Sequence, residues 1–370
     1  WFAVPHFLPL LRALVDLGLR VTVATRCAGK EQMIEATGAR AEHFDFKRGA
    51  VHPVRDAGVA VRLHGLIRRL RPDAVHAIAM KPIVTSTALA EAGMRRPLVL
   101  HLTGVGLAGT AGAGGSRLVH DLVMSMIDRQ LARPDVHLLV ENPDNRARFS
   151  RGDDAAANRI TMLGGAGVDP DRFAVQPFPA GSPVHAAPVH AAYVGRMVWT
   201  KGVDVLVDAF RLVRGEGDGI TLALCGAPDP DNPRAIARSE IEAWGASPGV
   251  SWHGFVTDIT AVWRQAHFAV VPSRGGEGLP RALLEAAACG RAAIVSDVAG
   301  CRHFVRDGVE GLIVPAGDAA ALARAIRRLA GDLEACRQMG LAARRRLLDG
   351  FTEQHLQAAM QNVYRGLLAM

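Results

Sequence analysis

Two glutamates stand eight positions apart in the segment Ser273-Arg274-Gly275-Gly276-Glu277-Gly278-Leu279-Pro280-Arg281, which runs on through Glu285 to Cys289-Gly290. It follows the apolar run Phe268-Ala269-Val270-Val271, which predicts a buried strand. Gly275, Gly276 and Gly278 keep the loop free of Cβ atoms, so its backbone N–H groups can approach a ligand closely. Pro280 suits a first helical turn, and Gly290 is a natural stop after Cys289. The N-terminus of that helix, with free N–H groups and the positive end of the dipole, favours an anion. If helical throughout, Glu277 and Glu285 lie roughly 12 Å apart, a separation that could let one carboxylate reach each end of a nucleotide sugar, the alternative being two surface glutamates beside a structural turn.

Two other patterns invite chemistry and lose it in context. Gly104-Val-Gly-Leu-Ala-Gly109 matches the dinucleotide-binding GxGxxG and follows a predicted strand. That strand is about the fourth of its domain, the following Thr-Ala-Gly-Ala-Gly-Gly starts a helix poorly, and no acidic strand end follows about 20 residues later. A loop at a cleft mouth is expected instead. Asp229-Pro230-Asp231 could be a metal-binding DxD, but its own proline and the following Asn232-Pro233 suit a rigid turn, and hard cations need more oxygen ligands nearby. No metal is expected.

Composition narrows the classes. The chain has 370 residues, enough for two domains, with 49% hydrophobic and 21% charged residues, which excludes wholesale disorder. No run reaches the roughly 18 apolar residues of a membrane span. Five scattered cysteines without a CxxC pair argue against a disulfide framework or a zinc site, so a cytoplasmic location is expected. The net charge of +7 suits an anionic partner: a phosphorylated substrate, an acidic membrane face or nucleic acid.

The elements that must position these residues alternate in type. A helix over 7–15 precedes strand 20–25. Then come helix 29–38, strand 41–45, helix 54–70, strand 74–78, helix 82–93 and strand 97–102. A Gly-rich loop at 104–115, helix 116–132 and strand 136–140 close the first half. Residues 174–190 carry four prolines and no periodicity, a linker pattern. Alternation resumes with strand 191–194, helix 202–214, strand 220–225, helix 234–246, strand 268–271, helix 279–289 and strand 292–295. Such alternation predicts an α/β fold of two doubly wound, Rossmann-like domains facing a cleft. Expected bounds are 1–173 for the first domain, 174–190 for the linker, 191–350 for the second domain, and 351–370 for a C-terminal helix packing back on the first. Because a helix opens the chain at Trp1, the first strand is expected to be missing from its N-terminus.

The motif Glu277-x7-Glu285 within EGLPRALLEAAACG closely resembles the donor-site motif of retaining family 4 glycosyltransferases of the GT-B fold. The resemblance covers nearly the whole chain: WFAVPHFLPLLRAL at the start, ENPDN at 141–145, GAGVD at 165–169, GRMVWTKG at 195–202 and DVAGCRHFVRDGVEGLIVP at 297–315 recur in kind. The chain further resembles the branch that adds N-acetylhexosamine or a related sugar to undecaprenyl-diphosphate-linked glycans.

The resemblance implies a metal-independent transfer from a UDP-sugar, without a resident cofactor, to a polyprenyl-diphosphate-linked glycan, in polysaccharide biosynthesis and without nucleic acid. Arg196 and Lys201, beside Gly195 and Gly202, would hold the donor diphosphate and neutralise the leaving charge. Glu277 would bind donor-sugar hydroxyls with the backbone of Gly276, Gly278, Leu279 and Pro280. Glu285 would bind the ribose, and Phe255 and Val256, in His253-Gly-Phe-Val, would flank the base. On the acceptor side, Thr103-Gly104 aligns where many members carry a cleft histidine, a departure from the family pattern. His6 and Lys81 are the other candidates, while His101 and His76 suit structural roles. The basic, apolar stretch 62–71 would dock at an anionic membrane, unless its leucines simply pack on the sheet. Competing classes are a GT-B sugar-nucleotide epimerase and a non-catalytic nucleotide- or carbohydrate-binding protein.

Overall fold

A computed structural model describes residues 3–27, 29–46, 53–104, 116–150, 154–179, 188–214 and 219–368. The chain divides into two compact units. One comprises residues 1–167, 276–278 and 353–370; the other comprises 168–275 and 279–352.

The first unit opens with α1 (Ala3–Asp16), β1 (Thr22–Thr25), α2 (Glu31–Glu35), β2 (Arg40–His43) and α3 (Pro53–Leu70). It continues with β3 (Val75–Ile78), α4 (Met80–Glu91), β4 (Leu98–Leu102), α5 (Ser116–Leu131) and β5 (Val136–Val140). Next come α6 (Pro143–Phe149), α7 (Asp154–Ala157) and β6 (Ile160–Met162). Its strands form a parallel β1-β2 pair and a parallel sheet ordered β3-β4-β5-β6. Alternation on β4 decides its two faces. Leu98, Leu100 and Leu102 join the core under α3 and α5, while Val99 joins the core built by α1 and the C-terminal helix. The stretch expected to dock on a membrane loses its apolar stripe to this packing, since Leu63, Leu66 and Ile67 of α3 are buried in the core.

The second unit holds β7 (Val189–Val194), a 3-10 turn (Trp199–Lys201), α8 (Val203–Arg214), β8 (Ile220–Cys225), α9 (Arg238–Gly245) and β9 (Val250–Trp252). After α10 (Ile259–Gln265), β10 (Phe268–Val271) and α11 (Arg281–Ala288) come β11 (Ala292–Ser296), α12 (Ala299–Phe304) and β12 (Gly311–Val314). Then follow α13 (Ala319–Gly331) and α14 (Leu333–Leu348); α15 (Glu353–Leu368) belongs to the first unit. One six-stranded parallel sheet runs β12-β11-β10-β7-β8-β9. Period-2 alternation again assigns the faces: Phe268 and Val270 enter one core with Leu206, Phe210 and Ile326, while Ala269 and Val271 enter the other with Leu283 and Leu284. Strands buried on both faces read as continuous apolar runs, which is why β10 and β11 were visible in the sequence. Strand order reverses between β7 and β10. A crevice outside the carboxyl ends of those two strands is where such sheets bind ligands.

All five cysteines are buried and none is in a disulfide; burial pushes Cys225 and Cys289 up to about 11 and Cys336 up to about 12. Among the described residues no helix is long and apolar enough to cross a membrane.

Candidate active site

In the second unit the residues flagged by the sequence gather at the carboxyl ends of β7, β8, β9 and β10. Gly195, Gly226 and Gly254 follow the first three of these strands in turn. The Gly226 N–H donates to the Gly254 carbonyl (2.6 Å), and a Cβ on Gly226 would lie 1.7 Å from the Gly195 carbonyl oxygen. Only glycine allows so close an approach of the two backbone segments.

Arg196 leaves β7 in a fixed turn. The buried Tyr193 phenol donates to its carbonyl (2.8 Å), and its guanidinium meets the carboxylate of Asp229 at 2.7 Å. Asp229 is 1% exposed, whereas the Arg196 side chain is 36% exposed. The carboxylate is therefore an anchor, and the cation keeps an open side. Asp229 also opens a turn, its carbonyl accepting from Asn232 N–H. Bridges from Met197 to Pro228 and from Val198 to Ala235 lay this segment along the one that carries Arg196. The pattern read as a rigid turn is one, and its first aspartate has an ion-pair partner that the sequence reading did not find.

Lys201 sits half-buried on the 3-10 turn, which ends in Gly202 at φ +66°. A side chain at 202 would place Cβ 2.0 Å from the Pro272 carbonyl oxygen, so this glycine is required for α8 to start where it does. Arg274 binds Asp204, in the first turn of α8, through two hydrogen bonds of 2.7 Å and also donates to the Trp199 carbonyl (2.8 Å).

Leu279 and Pro280 lead into α11, whose N-terminus has no side-chain cap. Glu285 lies on α11, 8% exposed. Its Oε1 accepts from Arg281 Nε (2.8 Å), and Oε2 makes no hydrogen bond among the described residues. Burial raises its pKa, against the opposing pull of the Arg281 and Arg172 guanidiniums. Phe255 is 56% exposed just beyond β9, beside half-buried Val256. An exposed aromatic of this size at a strand's carboxyl end offers a flat apolar surface.

Gly276, Glu277 and Gly278 are grouped with the first unit. There the Gly278 N–H donates to the Thr103 carbonyl (2.7 Å), and a Cβ on Gly104 would come within 2.8 Å of Glu277 Cα. Thr103 and Gly104 thus close the carboxyl end of β4 by backbone contact. Val105 to Gly109, the rest of the GxGxxG match, lie outside the described residues.

Beneath them is a polar cluster that the sequence reading did not assemble. His101 Nε2 approaches Glu141 Oε1 at 3.4 Å, both side chains being 2% exposed. The rings of His101 and His76 are 5.6 Å apart, and Tyr364 of α15 meets His76 Nδ1 at 3.0 Å. Burial, reinforced by His101, lowers the His76 pKa well below the usual imidazole range. These residues come from β3, β4, the end of β5 and α15, so only the folded chain collects them. His6, on α1, stands edge-on to Phe7, which packs edge-on to His101 (6.0 Å). Lys81, in the first turn of α4, lies 3.7 Å from Asp56.

Comparison with known proteins agrees with this architecture. Residues 3–166 match the Glycosyl transferase 4-like domain, and 188–332 match Glycosyl transferases group 1. A glycogen synthase of Mycobacterium tuberculosis is 28% identical over 316 residues, 85% of this chain and 73% of that protein. A Campylobacter jejuni N,N'-diacetylbacillosaminyl-diphospho-undecaprenol alpha-1,3-N-acetylgalactosaminyltransferase is 24% identical over 340 residues, 89% of this chain and 87% of that protein. Among solved structures, Anabaena Alr3699/HepE in complex with UDP-glucose superposes with a TM-score of 0.74 at 18% identity, covering 99% of this chain and 96% of that one. Sucrose-phosphate synthase from Thermosynechococcus elongatus gives 0.70 at 21%, over 90% and 84%.

Proposed function

We propose, from the premise that the chain is a glycosyltransferase of the GT-B fold with a 4-like and a group 1 domain, that it moves a sugar from UDP to a lipid-diphosphate-linked glycan with retention of configuration. The observation that carries the donor assignment is the Arg196–Asp229 pair beside the Lys201 turn, at the switch point of the six-stranded sheet. A fixed cation with an open side stabilises the charge that develops as a diphosphate leaves. UDP as donor is supported by the UDP-glucose bound in Alr3699/HepE, and the lipid-linked acceptor by the name of the Campylobacter relative.

In the reaction, the bond between the sugar's anomeric carbon and the β-phosphate oxygen breaks. The acceptor hydroxyl oxygen forms the new bond on the same face, and its proton passes to the departing phosphate oxygen. Arg196 and Lys201 carry the charge left on UDP, and the N-terminus of α11 adds its dipole. Glu285 Oε2 accepts from the ribose, Phe255 and Val256 flank the uracil, and Glu277 accepts from sugar hydroxyls. Lys81 meets an acceptor phosphate. The acceptor stays in a bilayer, so the enzyme works on the inner face of the membrane, held there by basic side chains around α3.

The test is UDP release from UDP-sugars, measured with and without a polyprenyl-diphosphate glycan and with excess EDTA. Acceptor-dependent release that survives chelation is expected. Conversion of the sugar nucleotide without acceptor would identify an epimerase, and binding without turnover a non-catalytic protein. Loss on chelation, restored by Mn²⁺, would return a divalent cation to the mechanism.

A further inference from the structure

Lys201 cannot hold a fixed position by itself, because a lysine side chain is a flexible four-carbon stem. Its backbone, however, is clasped. The Arg274 guanidinium donates through Nη1 to the Trp199 carbonyl and through Nη1 and Nη2 to the two Asp204 oxygens, so one planar group ties the residue two before Lys201 to the residue three after it. The Arg274 backbone N–H donates to the carbonyl of Thr200 (2.9 Å), between those two anchors. The same guanidinium lies over the Trp199 indole, 4.5 Å from the ring centroid, and Arg234 lies over that indole at 4.7 Å. The Trp199 N–H donates to the Arg234 carbonyl (2.9 Å). With its side chain only 17% exposed, Arg274 points into this clasp rather than into solvent.

We propose that Arg274 is a positioning residue for transfer: its fork sets the 3-10 turn so that Lys201 meets the leaving diphosphate. This rests on the reading of Lys201 given above. The geometry needs arginine. Lysine at 274 would keep the charge, but it has neither the paired, coplanar donors that hold both Asp204 oxygens nor the flat face that covers an indole. A cation that acts on charge appearing only as the bond breaks affects turnover more than donor binding. Displacing the turn should therefore lower kcat while leaving the donor KM nearly unchanged.

The experiment is a double-mutant cycle of Arg274→Lys and Lys201→Ala in the full chain, reading kcat and donor KM, with thermal melts to confirm folding. Arg274→Lys alone should lower kcat by about 10-fold to 10²-fold, the range of a small misplacement of a catalytic group, and change KM by less than about 3-fold. In the Lys201→Ala background it should cost less than about 2-fold more, because two residues acting as one unit are not additive. Equal losses in both backgrounds would show that Arg274 only supports the fold and would overturn the proposal. A silent Lys201→Ala would instead remove the reading of Lys201, and the proposal with it. If Arg274→Lys does not fold, Asp204→Asn loosens the same fork and takes its place in the cycle with the same expectations.

Discussion

At the Arg196–Asp229 pair, the cation proposed to meet the leaving diphosphate and the carboxylate that holds it can be tested separately. Arg196→Ala removes the cation and should lower kcat/KM for transfer by about 10²-fold or more, the scale of losing one preorganised electrostatic group. Asp229→Asn leaves the cation but gives up its anchor, so the loss should be smaller, about 10-fold. Steady-state rates at varied UDP-sugar concentration test the order; an Asp229→Asn enzyme as impaired as Arg196→Ala would show that Asp229 does more than anchor. Arg196 was legible in the sequence because its Gly-Arg context resembles a family motif. Its partner was not legible: Asp229 lies 33 positions on, in a segment that read as a rigid turn, with nothing in the sequence to pair it with Arg196. Arg274 sat inside the most informative segment without standing out, because its role depends on Asp204, which joins it only through the parallel pairing of β7 and β10.

Among the elements, those with long apolar patterns were legible, while the edge strands β6, β9 and β12 were not. β4, β5, β8 and β10 carry four or five buried residues each, whereas β6, β9 and β12 are three or four residues long, hold one, one and three buried residues, and sit at sheet edges, too short to show a period. Backbone strain was also invisible, and it gives two predictions of opposite sign. Ala79, between β3 and α4, adopts φ 71° and ψ 166°, a region that favours glycine, while donating to the His101 carbonyl (3.0 Å). Ala79→Gly should raise stability by about 1 kcal/mol, the relief of that strain less the entropy of an added glycine. At Gly202 the same exchange runs in reverse, with φ +66° and a Cβ only 2.0 Å from the Pro272 oxygen. Gly202→Ala should cost about 2 kcal/mol or more and displace the Lys201 turn. Chemical denaturation of both variants reads both signs, and two changes in one direction would contradict the backbone described at one of the two sites.

Over the whole molecule, buried histidines make stability depend on pH. His267 is fully buried, and burial, with His190 and Arg291 nearby, lowers its pKa from 6.5 to about 4. Burial lowers His137 to about 4 as well, with Arg159 adding to the effect. Between those values the unfolded chain binds protons that the folded chain refuses. This contribution is therefore complete above pH 6.5, is lost as pH falls, and is exhausted near pH 4. Each group accounts for about 1.4 kcal/mol per pH unit in that window. Denaturation midpoints should fall from pH 6.5 to 4, and less steeply in His267→Gln; an unchanged slope would place the proton uptake elsewhere.

The net charge of +7 does not by itself say which surface would meet a bilayer, and the packing of α3 narrows the choice. With Leu63, Leu66 and Ile67 committed to the core, α3 has no apolar stripe to insert. Arg69 is held by Glu42, so it too contributes less than the sequence suggested. What remains is a groove of about 410 Å³ where Arg68, Arg71, Arg95 and Arg96 surround Ile67 and Met94, and none of the four guanidiniums is in an ion pair among the described residues. Docking through it would be electrostatic, worth about 1 kcal/mol per cation near an anionic surface and screened within a Debye length of about 8 Å at physiological salt. Binding to vesicles rich in anionic lipid should therefore fall steeply as salt rises. Arg68→Glu with Arg71→Glu reverses two charges and should weaken binding by about 10³-fold on the same scale, without loss of UDP release on a water-soluble acceptor. Vesicle binding that resists salt, or that survives the double exchange, would mean that this groove is not the surface that meets the membrane.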